Sequence, residues 1–173
     1  MLETPNVCVS ARLASASQVT RGAVYHHFAG KQALFEAVLD LQESRAITQI
    51  TAAAAAADPW EAAMQALDAF LDQCCDPVYG RLCWLEAPAA LGWHRWRECE
   101  EKYAYGLVER FITALIDAGY LEDRAVGSLV RFSFWMLGGA GLTLAEAPAA
   151  DKPRVREEWG YLIGRTITAM RIR

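Results

Sequence analysis

The chain predicts an all-α fold, and three observations carry that expectation. Apolar residues recur at helical spacing along most of its length, capping residues stand where those stretches begin, and Gly or Pro stands where they end. The pattern divides the chain into a helix-turn-helix head, expected over residues 1–45, and a larger helical body, expected over residues 46–173.

The head is read from Val19 to Phe35, a short helix, a break and the start of a second helix. Thr20 can cap the short helix through its hydroxyl. Val24 and Phe28, four apart, share the face that packs on what precedes them, which leaves Arg21, Tyr25 and His26 pointing elsewhere. Gly30 ends this helix, and Lys31 starts the next where its ammonium can meet a phosphate. From Lys31 to about Ile50 the apolar residues Leu34, Phe35, Val38, Leu41 and Ile47 predict one buried face, with Glu36, Asp40 and Glu43 on the other. Ala52–Ala57 gives no face and reads as a simple extension or a loop. Asp58-Pro59-Trp60-Glu61 then opens a new helix: Asp58 caps it, Pro59 suits the first position and Glu61 stands where a capping box needs it.

Met64, Leu67, Phe70, Leu71 and Cys74 keep one stripe on that helix until Pro77 and Gly80 break it. A short helix from about Val78 to Glu86 should stop before Pro88, with Ala89–Gly92 as a turn. Trp93 leads into a long helix ending near Ala118, with Tyr103, Leu107, Val108, Phe111, Leu115 and Ile116 inward and Gly119 as its stop. Asp123 can cap a helix from Arg124 to about Ala145 that is apolar on more than one face, so it needs cover on both sides. Its Gly138, Gly139 and Gly141 permit either a close backbone approach or a kink. Pro153 opens the last helix, where Trp159, Leu162, Ile163, Ile167 and Met170 repeat at helical spacing.

Val19-Thr20-Arg21-Gly22-Ala23-Val24-Tyr25-His26-His27-Phe28, followed by Gly30-Lys31-Gln32-Ala33-Leu34-Phe35, closely resembles the signature of the TetR family of transcriptional regulators. The stretch from Arg81 to Arg97 also resembles segments of ligand-binding domains in that family. The resemblance implies that Ser10–Ala16 is the first helix of the motif and that residues 19–30 form the recognition helix. It implies a homodimer joined through the last two helices, two heads on a palindromic operator in duplex DNA, and release by a small molecule. On that basis Thr20 and Tyr25 are assigned to phosphates, Arg21 and His26 to base edges or nearby phosphates, Gly22 and Ala23 to close approach and thymine contact, and Lys31 to a backbone phosphate. The sequence departs from the family pattern in two places. Gln18 stands where a turn glycine is common, and Met1–Val9, with Pro5 inside it, offers little for the helix that usually precedes the motif. A dimeric helical ligand-binding module that has lost DNA binding is therefore the alternative expectation.

Composition agrees with a small globular regulator: 54% hydrophobic and 22% charged in 173 residues. A formal net charge of -4 excludes binding nucleic acid by bulk charge. Arg12, Arg21 and Lys31 nevertheless fall between Glu3 and Glu36 with no acid among them, enough for a local phosphate contact. No charge-free apolar run reaches a membrane span and no secretion signal pattern opens the chain, so a cytoplasmic protein is expected. Five cysteines, an odd set, read as small buried residues, and the alternative is a thiol or metal sensor built from Cys74, Cys75, Cys83, His94 and Cys99. Gly138-Gly139-Ala140-Gly141 follows no strand, and neither a nucleophile elbow nor a His-Glu-x-x-His motif occurs, so neither an enzyme nor a cofactor or metal is expected. A pocket for an apolar or aromatic ligand is expected from Trp60, Phe70, Trp84, Trp93, Trp96, Tyr103, Phe111, Phe134 and Trp135, with Glu86, His94 and Arg95 as polar anchors.

Overall fold

The computed structural model describes residues 30–172, and every described element is helical. The chain forms two compact units, residues 1–38 and 39–173. Thr20, Arg21, Gly22, Ala23, Tyr25 and His26, and the Ser10–Ala16 helix, lie outside the described residues. Within the first unit, Gly30 has φ +138°, a conformation that only glycine adopts without strain, and its carbonyl accepts the Leu34 N–H at 3.1 Å to start helix α1 (Lys31–Ala53). Gln32 and Glu36, one turn apart, are bonded at 3.2 Å.

In the second unit α1 turns Leu39, Glu43, Ala46 and Ile50 inward, a stripe spaced four, three and four residues apart. This corrects the expected register. Glu43 is buried and Leu41 exposed, because a helix face is set by what it packs against and not by the largest apolar residues along it.

Helix α2 (Pro59–Cys75) starts as expected, with Asp58 Oδ1 accepting the backbone N–H groups of Trp60 and Glu61 at 2.9 and 3.0 Å. The other carboxylate oxygen accepts the Tyr120 hydroxyl at 2.5 Å, so one side chain both caps α2 and holds the turn at Tyr120. Asp76 then caps α3 (Pro77–Tyr79), which continues as a π-helical segment (Gly80–Glu86) and as α4 (Ala87–Leu91) up to Gly92, at φ +77°. The expected stop before Pro88 does not occur. In the wider π ladder Ala87 N–H already bonds to Leu82 O, and the carbonyl that Pro88 cannot serve, that of Cys83, receives the Trp96 indole N–H at 2.9 Å instead.

The rod from Trp93 is built from α5 (Trp93–Glu100), a second π segment (Glu101–Tyr105) and α6 (Gly106–Asp117). Gly119, at φ +73°, ends it as expected. Helix α7 spans Val126–Glu146. Its cap is Ala125 at φ +54° and not Asp123, whose carboxylate makes no capping bond; the turn before the helix is closed by backbone bonds from Ser128 and Leu129 to the Ala125 carbonyl. By length and composition α7 is apolar enough to cross a membrane. Here it is the central helix, against which α2, the first π segment, α6 and α8 (Lys152–Ala169) all pack.

Gly138, Gly139 and Gly141 of α7 all face side chains, not a second backbone. A methyl group on Gly141 would overlap the Trp84 indole, and one on Gly139 would touch Trp159 at 3.4 Å. Helix α8 is pinned to α2 by Arg156, which reaches Asp72 at 2.5 Å and Asp68 at 3.3 Å. Only Ile163 of its expected apolar repeat is buried, whereas Leu162 is 55% and Tyr161 65% exposed. A cluster of Ile112, Leu115, Leu121 and Val130 closes the end near Trp60 and Met170, each fully buried aliphatic side chain contributing about 1.5–3 kcal/mol.

Candidate ligand-binding site

A cavity of about 120 Å³ lies in the middle of the second unit, with walls from α1, α2, α3, both π segments, α5, α6, α7 and α8. Most of its wall is aliphatic or aromatic. An apolar cavity of similar size takes a single benzene ring. Six of the aromatic residues expected at a pocket meet here: Phe70, Trp84, Trp96, Phe111, Phe134 and Trp135. Phe70 and Trp96 both approach Trp84 edge-on, with ring centroids 6.3 and 6.0 Å apart.

The remaining expected residues stand off the cavity wall. Trp93 is 55% exposed and stacks on Trp135 at 6.0 Å. His94 is exposed. Glu86 pairs with Arg81 at 2.6 Å, and the Tyr103 hydroxyl bonds to Asp40 with Lys102 Nζ 2.6 Å away. Arg95 pairs with Glu98 at 3.1 Å on the surface.

The polar side of the cavity consists of residues outside that expected set: Glu43, Tyr79, Glu100 and Ser133. Glu43 is 2% and Glu100 4% exposed. Burial raises the proton affinity of both acids, and the Glu43 carboxylate raises that of Glu100 further. The Tyr79 hydroxyl donates to Glu43 Oε2 at 3.3 Å and, with the Cys83 thiol, partly offsets the cost for Glu43. Burial likewise pushes up the Tyr79 hydroxyl and the Cys74 and Cys83 thiols, so these groups stay protonated as donors. The signal for Glu43 was its place between Leu39 and Ala46 on one helical face. That for Glu100 was its position one turn after Trp96.

Cys74, Cys83 and Cys99 are buried and Cys75 half-buried, and among the described residues no three metal-ligating side chains come together. Lys31 is exposed at the start of α1.

Residues 60–167, which carry nearly all of this cavity, match the family described as tetracyclin repressor-like, C-terminal domain. The chain belongs to the TetR family. Residues 10–38 match the description of bacterial regulatory proteins, tetR family, so both parts of a TetR-type regulator are represented in order. The fold is shared with a TetR-family transcriptional regulator from Pectobacterium atrosepticum, at 22% identity and a TM-score of 0.81 over 93% of this chain and 82% of that one. No curated protein matches the chain. As a TetR-family member it is a DNA-binding, ligand-responsive regulator and not an enzyme.

Proposed function

We propose that this TetR-family chain is a cytoplasmic homodimeric repressor that holds a palindromic operator and lets go of it when a small apolar or aromatic molecule enters the cavity. The observation that carries the reading is the double role of α1. This helix begins at Lys31, directly after the head motif, and supplies Glu43, Ala46, Ile47 and Ile50 to the cavity wall. A guest that prefers one position of that wall acts on the helix from which the head is suspended. A tenfold change in operator affinity needs only about 1.4 kcal/mol of differential binding.

In this reading Arg21 and His26 read base edges, Thr20, Tyr25 and Lys31 hold phosphates, and Gly22 with Ala23 allows close approach to the groove. The domain boundary falls near residue 45. The last two helices form the subunit contact, a role supported by the large apolar residues they leave exposed: Phe132 and Leu142 on α7, Tyr161 and Leu162 on α8.

The test is a gel shift with the DNA upstream of the chain's own gene, alongside light scattering of the free protein. A dimer that binds this DNA in a salt-dependent way, and is displaced by a cavity ligand, is the expected result. A dimer without operator affinity at low salt would reject it.

A further inference from the structure

Among the described residues five buried side-chain polar atoms have no hydrogen-bond partner, and four of them, Glu43 Oε1, Glu100 Oε1, Trp84 Nε1 and Ser133 Oγ, belong to residues that line the same cavity; the fifth, Arg97 Nε, lies off the cavity wall, 3.9 Å from Glu101 Oε1. Asp58, by contrast, is served by two backbone N–H groups and Tyr120, and Asp72 and Asp68 by Arg156. The concentration of unfilled groups at one place marks a binding surface and not a packing defect. Its chemistry is one-sided. Two carboxyl groups face an otherwise apolar space, and no Lys, Arg or His stands among the lining residues.

We propose that the cavity binds a compact organic cation, an aromatic or arylalkyl ammonium, whose charged nitrogen meets Glu43 Oε1 and Glu100 Oε1 while its ring lies against Trp84, Trp96 and Phe70. An ammonium supplies several donors and the missing positive charge together, and the indole faces favour a cation as well. A neutral alcohol supplies a single donor. A carboxylate guest would bring a third acid to a place that already holds two. The available 120 Å³ limits the guest to about one ring, with the amine reaching the two carboxyl groups in the wall. The inference rests on the cavity being the ligand pocket of the proposed regulator and adds the class of ligand.

The groups that face the pair are Tyr79 and Cys83 against Glu43, Glu43 and the Trp96 indole against Glu100, and Cys74 beside both acids. None of them carries a positive charge, and burial raises the proton affinity of both acids, so a bound ammonium competes with protons at this place. Binding of the cation therefore releases protons.

The full chain is titrated calorimetrically with 2-phenylethylamine, 2-phenylethanol and phenylacetate, in two buffers of different ionisation heat. The amine should bind about tenfold or more tighter than the alcohol, a difference of about 1.4 kcal/mol, with phenylacetate weakest and proton release seen only with the amine. Glu100→Gln, and separately Glu43→Gln, should abolish most of the amine preference and leave the alcohol within about twofold, since both remove the charge and keep the volume. An alcohol that binds as well as the amine, a preference that survives both substitutions, or no binding by any of the three at millimolar concentration overturns the inference. The wild-type series decides the matter even if a variant fails to fold. Failure of the regulatory reading looks different: the amine binds with its preference intact, and the operator complex is unaffected by it.

Discussion

Trp96 donates its indole N–H to the Cys83 carbonyl at 2.9 Å, and this bond joins the rod that begins at Trp93 to the π segment that begins at Gly80. The bond exists because Pro88 has no N–H to offer at the next step of the π ladder. Both residues are buried, and Trp96 lies in the cavity wall. A local irregularity of the backbone is thus the anchor for one wall of the ligand site.

Trp96→Phe should leave that carbonyl without a donor, at a cost of about 1–3 kcal/mol. For a chain of this length that lowers the thermal midpoint by about 2–12 °C. Pro88→Ala in the same background restores a backbone N–H at the required place, so the double variant should recover part of the loss. Urea unfolding of the four proteins of this cycle measures the coupling, and strict additivity would show that the two positions are unrelated.

The buried acids predict how stability follows pH. Both carboxyl groups hold their protons more tightly in the folded chain than at the ordinary glutamate value of 4.5. The folded state therefore binds more protons than the unfolded state above that value, and stability falls as pH rises through the folded-state titration. Each tenfold difference in proton affinity between the two states is about 1.4 kcal/mol. Glu100→Gln should flatten the decline between pH 5 and 8 and raise the midpoint at pH 8 by about 2–4 °C. Thermal melts followed by circular dichroism across that range are the check, and an unchanged slope would contradict the assignment.

Gly141 predicts a steric effect that separates it from the other glycines of α7 and α8. The Trp84 indole lies where a methyl group on residue 141 would be, while Gly164 on α8 has open space. Gly141→Ala should cost about 1–3 kcal/mol through displacement of the indole and should weaken any cavity ligand. Gly164→Ala should gain up to about 1 kcal/mol, the ordinary helix preference for alanine. Equal effects from the two substitutions would remove the role given to Gly141.

Helix starts and stops were largely legible in the sequence because they depend on one or two residues acting locally. Asp58 with Pro59 and Gly119 are such cases, and the structure uses both as read. Ala125 is the counterexample: a residue with ordinary side-chain chemistry takes a left-handed backbone because the surrounding turn requires it, and Asp123 is left unused. The helical runs on either side of Pro88 and through Glu101–Tyr105 were harder to follow, since a π turn depends on what a carbonyl finds several residues away. In the cavity the aromatic residues were legible by type and the acids were not. Glu43 and Glu100 look like solvated charges in a list of residues, and only the meeting of α1, α5 and the first π segment at one cavity buries them. Composition assigns charged residues to the surface by default; the exceptions are set by tertiary packing.

Lys31 and Arg21 predict the electrostatic part of operator binding. A phosphate contact releases condensed counterions, so removal of one cation lowers the dependence of affinity on salt by about one unit in a logarithmic plot. Lys31→Ala should do this while weakening operator and unrelated DNA alike, because a phosphate carries no sequence. Arg21→Ala, if it reads a base edge, should cost about 1–3 kcal/mol against the operator and less against unrelated DNA. Fluorescence anisotropy at three salt concentrations, with both DNAs, separates the two behaviours. Identical losses on both DNAs for Arg21→Ala would move that residue from base reading to the phosphate backbone.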